Sequence, residues 1–70
     1  MNFEKIKGYS KLLPNQKLLF QMIFAKHQAS LGAEAKKDYD PKSVKYEGKF
    51  FRVTFKNGEW LHYMSDGTWY

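Results

Sequence analysis

The side chains able to carry out chemistry are few, and their spacing does not assemble a site. His27 and His62 are the only histidines, and the chain has no cysteine. Neither histidine has a carboxylate at ligand spacing on its own element, so the imidazole, thiolate and carboxylate sets that hold zinc or a redox metal are not formed locally. The serines are Ser10, Ser30, Ser43 and Ser65. None lies in a strand-to-helix nucleophile elbow, and Ser65 flanks a turn. Paired carboxylates for acid–base work are missing as well, because Glu59 is expected to face Lys56 as a cross-strand ion pair. The glycines stand singly, which leaves no loop to cradle a phosphate. These features predict a protein that is not an enzyme, with no catalytic residue, no metal, no cofactor and no small-molecule substrate.

Binding chemistry is what remains. The chain of 70 residues carries a net charge of +5, and 19% of its residues are aromatic. The positive excess lies early: residues 1–26 hold Lys5, Lys7, Lys11, Lys17 and Lys26 against Glu4, whereas residues 27–42 are neutral and residues 43–70 carry a net +1. Lysine is abundant on any solvated surface, while base-reading sites usually enlist arginine. Arg52 is the single arginine.

The elements that would position these groups are legible from turns and periodicity. Glu47-Gly48, Asn57-Gly58 and Asp66-Gly67 are two-residue turn candidates separating β-branched and aromatic stretches. With two-residue turns, Asn57-Gly58 opposes Phe55 with Trp60, Val53 with His62 and Phe51 with Met64. Asp66-Gly67 opposes Met64 with Trp69 and Tyr63 with Tyr70, and Glu47-Gly48 opposes Tyr46 with Lys49 and Val44 with Phe51. Opposed residues share a face. One face then gathers Val44, Tyr46, Phe51, Val53, Phe55, Trp60, His62, Met64 and Trp69. The other gathers Lys45, Phe50, Arg52, Thr54, Lys56, Glu59, Leu61, Tyr63, Ser65, Thr68 and Tyr70. The first face is apolar and is expected to be covered. On it, His62 is expected as a partly buried histidine bonded to backbone or to a tyrosine.

The N-terminal half reads as helix. Pro14 suits a first turn, where its missing N–H costs nothing, and Gly32 is a natural stop. The run 14–31 carries one polar stripe, Lys17, Gln21 and Gln28, and two apolar arcs: Leu18, Met22, Ala25 and Ala29 on one side, Phe20, Phe24 and Leu31 on another. A helix lying on a sheet needs only one such arc. The first segment, where Asn2 caps a short helix that ends at Gly8, is one candidate cover for the second arc; another copy of the chain is the other.

The expected architecture is therefore α+β in a single domain. A short and a long helix within about 2–31 pack on one face of a four-stranded antiparallel meander at about 43–70, joined by a linker at about 32–42. No apolar run is long enough to span a bilayer, since Leu18 to Phe24 is the longest and contains Gln21. Gly8 and Pro14 break any membrane-surface helix. With no signal sequence and no cysteine, the chain reads as cytoplasmic.

Two binding functions follow. In the leading one the protein is a non-catalytic protein-binding module, such as a small inhibitor or adaptor. It would use Phe50, Arg52, Leu61, Tyr63 and Tyr70 on the uncovered sheet face, with Arg52 opposite Tyr63 and Lys45 opposite Phe50. The alternative is nucleic-acid binding through Lys5, Lys7, Lys11, Lys17, Lys45, Arg52 and Lys56. Self-association into a homodimer is a third use, drawing on the second helix arc.

Overall fold

Three of the β-branched and aromatic stretches become strands in the computed structural model, which describes residues 2–70. Strands β1 (Pro41–Tyr46), β2 (Phe50–Phe55) and β3 (Trp60–Met64) form one antiparallel meander with β2 at its centre. The sequence predicts four strands; the sheet has three. Residues 68–70 do return beside β3, with backbone bonds of 2.8 and 3.1 Å between His62 and Tyr70. They form a single bridge, Tyr63 with Trp69, rather than a fourth strand.

The larger correction is to register. β2 and β3 pair Phe51 with Tyr63, Arg52 with His62, Val53 with Leu61 and Thr54 with Trp60, one residue away from the expected pairing. A two-residue type I′ turn needs positive φ at both central residues, and among the described residues only glycines have positive φ. Asn57 instead accepts the N–H of Glu59 with its side chain at 2.9 Å, and Gly58 alone takes φ 90. Bonds from Phe55 N to Glu59 O and from Gly58 N to Phe55 O close a three-residue loop, Lys56-Asn57-Gly58. The same device repeats at Ser65-Asp66-Gly67, where Asp66 accepts the Thr68 N–H at 3.0 Å.

Each slip reverses side-chain direction. Leu61 and Tyr63 therefore turn inward, contrary to expectation, while Trp60, His62 and Met64 turn outward. Two slips in succession cancel, so Trp69 packs against the core and Tyr70 is exposed, as expected. The β1–β2 loop also differs from the expected one, with Gly48-Lys49 between Glu47 and Phe50 and Tyr46 opposite Phe51. That shift is by two residues, so Val44, Phe51, Val53 and Phe55 remain buried. Lys56 pairs with Asp40 at 2.9 Å rather than with Glu59.

Helix α1 (Pro14–Ala29) lays Phe20, Ile23 and His27 on the sheet. Gln16 accepts the Leu13 N–H at 2.9 Å, supplying half of a capping box that leucine cannot complete. Ser30 ends the helix. Gly32 is extended and instead caps α2 (Ala33–Asp38), a short helix within the expected linker. No helix among the described residues is long and apolar enough to cross a membrane.

Residues 2–12 form two short 3-10 turns, Phe3–Lys5 and Tyr9–Lys11, and Asn2 caps the first as expected. Ile6, Tyr9 and Leu12 are buried, and Phe3 lies 5.6 Å from Phe24 between ring centres. Between the turns, Lys7 bridges to Ser43 in parallel, with bonds of 3.1 Å to Lys42 O and 2.9 Å from Val44 N. The segment thereby covers part of the exposed β1 edge. It also uses the helix's polar stripe: Gln21 donates to the Tyr9 hydroxyl and the Lys17 ammonium lies 5.4 Å over the Tyr9 ring. Gln28 donates to Tyr39 O at 3.0 Å. The polar stripe is thus a seam, and the arc opposite the core is left bare, with Leu18 68% and Met22 52% exposed beside exposed Ala25 and Ala29.

The buried polar centre is His27, not His62. His27 is 3% exposed, and its Nδ1 is 2.7 Å from the Tyr63 hydroxyl. The rings of Tyr39, Phe55, Tyr63 and Trp69 enclose it at 5.3–5.7 Å between centres. Burial lowers the His27 pKa from its ordinary 6.5 and raises that of Tyr63.

Candidate functional site

The three strand segments, PKSVKY, FFRVTF and WLHYM, contain no aspartate or glutamate. Their outward residues therefore make a face that is cationic on β1 and β2 and aromatic on β3. His62 is at the centre of the aromatic part, with Phe50 at 4.5 Å, Trp60 at 4.9 Å and Tyr70 at 4.9 Å between ring centres. The Phe50 and Trp60 contacts are edge-on, whereas Tyr70 is stacked on His62 at 29°. Trp60 is 47% and Tyr70 66% exposed. Arg52 sets its guanidinium 4.6 Å over the Trp60 ring, an arrangement that holds a cation and a π-face side by side.

Arg52 also borders a groove. The covered β1 edge and the outer side of β1 and β2 enclose about 610 Å³, lined by Lys7, Gly8, Lys11, Leu12 and Gln16 from the N-terminal half and by Ser43, Val44, Lys45, Tyr46, Arg52 and Thr54 from the sheet. Four of these side chains are cations and none is a carboxylate. Lys45 is paired across the ladder with Arg52, so two positive side chains are direct neighbours. Such a pair is mutually repulsive unless an anion or solvent screens it. The one ion pair among the described residues is Lys56–Asp40, away from this groove. Ser43 and Thr54 add hydroxyls and Gln16 an amide, all able to donate to an oxygen acceptor.

The sequence-derived residues divide cleanly. Of the basic set, Lys7, Lys11, Lys45 and Arg52 converge on the groove. Lys5 and Lys56 line a separate, smaller recess with Asn2, Ile6, Asp40 and Pro41, and Lys17 is held over Tyr9. Of the aromatic set, Phe50, Arg52 and Tyr70 are on the outer face. Leu61 and Tyr63 are removed from it by the register slip, since Leu61 packs against the core and Tyr63 is fully buried. Arg52 stands opposite His62 instead of Tyr63, and Lys45 opposite Arg52 instead of Phe50.

Trp60, His62 and Met64 are the outer-face residues that sequence reasoning missed. A glycine at the third position of each loop was the available signal, because Lys-Asn-Gly and Ser-Asp-Gly fit a three-residue loop as well as a two-residue one. Among the described residues no group of three or more histidines and carboxylates is placed to hold a metal ion. Comparison of the chain with protein-family models, with curated proteins and with solved structures finds no match, so the groove and the aromatic face stand on their own geometry.

Proposed function

We propose that this protein binds nucleic acid through the groove of Lys7, Lys11, Lys45 and Arg52 and the aromatic sheet face adjoining it. The carrying observation is that four cations from two distant stretches of sequence meet on one concave wall with no carboxylate among its lining residues. Counted along the chain, the lysines of the first third look remote from Lys45 and Arg52. The Lys7–Ser43 bridge brings them together. Phosphate contacts dominate nucleic-acid affinity and need such clustered charge.

Four phosphate contacts imply a log–log slope of affinity against salt of about −3 for a single strand. A Lys7→Ala/Lys11→Ala protein loses two contacts, and its slope is expected to flatten by about 1.4. A titration of mixed DNA and RNA at 50 and 200 mM salt reads both quantities. Absence of binding at 50 mM would remove the proposal.

A second reading is a protein partner on the same outer face, as for a small inhibitor or adaptor. It is supported by the exposure of Trp60 and Tyr70 and by the Arg52–Trp60 stack, since tryptophan, tyrosine and arginine dominate interface hot spots. Of the residues that the sequence suggests for it, Phe50, Arg52 and Tyr70 remain; Trp60 joins them. Such binding would be lost on Trp60→Ala and insensitive to Lys7→Ala/Lys11→Ala.

The bare helix arc supports a homodimer. In an antiparallel pair about a two-fold axis, Leu18 and Met22 of one copy would meet Ala29 and Ala25 of the other, large against small. Mass in solution from 5 to 500 μM tests this, with a shift toward two chains that Leu18→Glu abolishes. A constant single-chain mass would exclude it.

A further inference from the structure

The geometry points to a single strand as the nucleic acid bound, with phosphates in the basic groove and unpaired bases against the exposed rings of Trp60 and Tyr70. This inference rests on the nucleic-acid reading above and adds the form of the ligand.

Three features carry it. First, the outer face offers rings, and a ring takes a base only where a base face is free. Duplexes bury base faces in their stacks and present edges and phosphates, whereas unpaired bases present both faces. Second, the face is broader than the two-stranded ribbon that fits a major groove about 12 Å wide, since three paired strands are extended by the returning segment at residues 68–70. A sheet of this breadth engages a duplex by widening its groove, at a deformation cost that a flexible single strand does not incur.

Third, the cationic and aromatic parts abut in the order a nucleotide needs. Lys45 and Arg52 are adjacent across the β1–β2 ladder, and Arg52 and His62 across the β2–β3 ladder. A phosphate held at Arg52, the groove residue next to β3, and a base on β3 are then separated by about one strand spacing, roughly 5 Å, which a sugar spans. Arg52 joins the two parts, its guanidinium already over Trp60. Stacking is tolerant of base identity, so binding without marked sequence preference is expected.

The test uses fluorescence anisotropy with the full chain, labelled dT12, labelled U12 and a 12-base-pair DNA duplex at 50 mM salt. The single strands are expected to bind at least ten-fold tighter than the duplex. Trp60→Ala should weaken single-strand binding ten-fold or more and change duplex binding less than two-fold, while Trp60→Phe should retain most of the affinity. Trp60 is partly exposed, so circular dichroism is expected to report an intact fold in both variants. In a Trp69→Phe background, where Trp60 is the only tryptophan, its emission should be quenched by either strand. Binding of dT12 alone or U12 alone also supports the inference, and dU12 then separates the sugar from the thymine methyl. Equal affinity for strands and duplex, with Trp60→Ala neutral, would overturn the single-strand assignment and leave the groove reading intact. No binding to any of the three would remove both.

Discussion

Gly8→Ala is expected to destabilise the protein by about 2–5 kcal/mol, combining left-handed backbone strain with overpacking, and to weaken the proposed nucleic-acid binding as Lys7→Ala/Lys11→Ala does. Gly8 adopts φ 90, and a Cβ built on it would overlap the carbonyl oxygen of Val44. That atom belongs to the backbone of β1 and cannot rotate aside. On either side of the contact, Lys7 is bonded to Lys42 and Val44, so the only relief is to lift the N-terminal segment off the strand edge. Lifting it would carry Lys7 and Lys11 out of the groove and expose Ile6, Tyr9 and Leu12, which are buried. Gly48→Ala is the matched control. Gly48 has φ 95, but a methyl group added there would meet nothing within 4 Å, so it should cost only the backbone term, about 1–2 kcal/mol. Urea titrations of the two variants beside the parent chain separate strain from contact. Equal losses in both would mean that the close approach of Gly8 to Val44 has no energetic weight.

The same segment marks the boundary between what local sequence encodes and what packing decides. Helix α1, the strand segments and the inward direction of Val44, Phe51, Val53 and Phe55 follow from periodicity and turn residues, and these were legible. The β2–β3 register was not, because Asn-Gly and Asp-Gly permit loops of two or three residues with opposite parity. Local propensity is nearly indifferent between them; the core is not. In the two-residue register Tyr63 would face solvent, and His27 would lose the hydroxyl that satisfies it. The helix was ambiguous for a related reason. Its two apolar arcs are of similar strength, and the aromatic side chains of Phe3, Tyr9, Phe51 and Tyr63 select the one containing Phe20. The groove was hidden because charge summed by segment contains no information about which segments meet.

The His27–Tyr63 bond makes that long-range selection measurable. Tyr63→Phe keeps the ring and deletes the hydroxyl, leaving a buried imidazole nitrogen without its partner; the expected loss at pH 7 is about 1–3 kcal/mol. The double variant His27→Leu/Tyr63→Phe replaces both polar groups by apolar ones and should recover most of that loss, since the penalty belongs to the orphaned nitrogen rather than to the missing bond. Acidification gives a second reading. In the unfolded chain His27 protonates near 6.5, whereas burial among four aromatic rings holds the folded value lower. Above pH 6.5 the group is neutral in both states and stability does not depend on it. Below 6.5 the unfolded chain takes up the proton first, so stability falls as pH falls, by up to about 1.4 kcal/mol per pH unit, until the folded value is reached. Asp66 acts in the same direction but lower, because hydrogen bonds from Thr68 depress its pKa below 3.8, so what it contributes is lost only in stronger acid. Urea titrations at pH 5, 6, 7 and 8 therefore leave Asp66 aside, and the double variant isolates the His27 contribution. The parent chain should weaken between pH 6.5 and 5, and the double variant should lose the His27 component of that slope. An unchanged slope in the double variant would show that the imidazole is not held neutral by the fold, and that some other group sets the acid response.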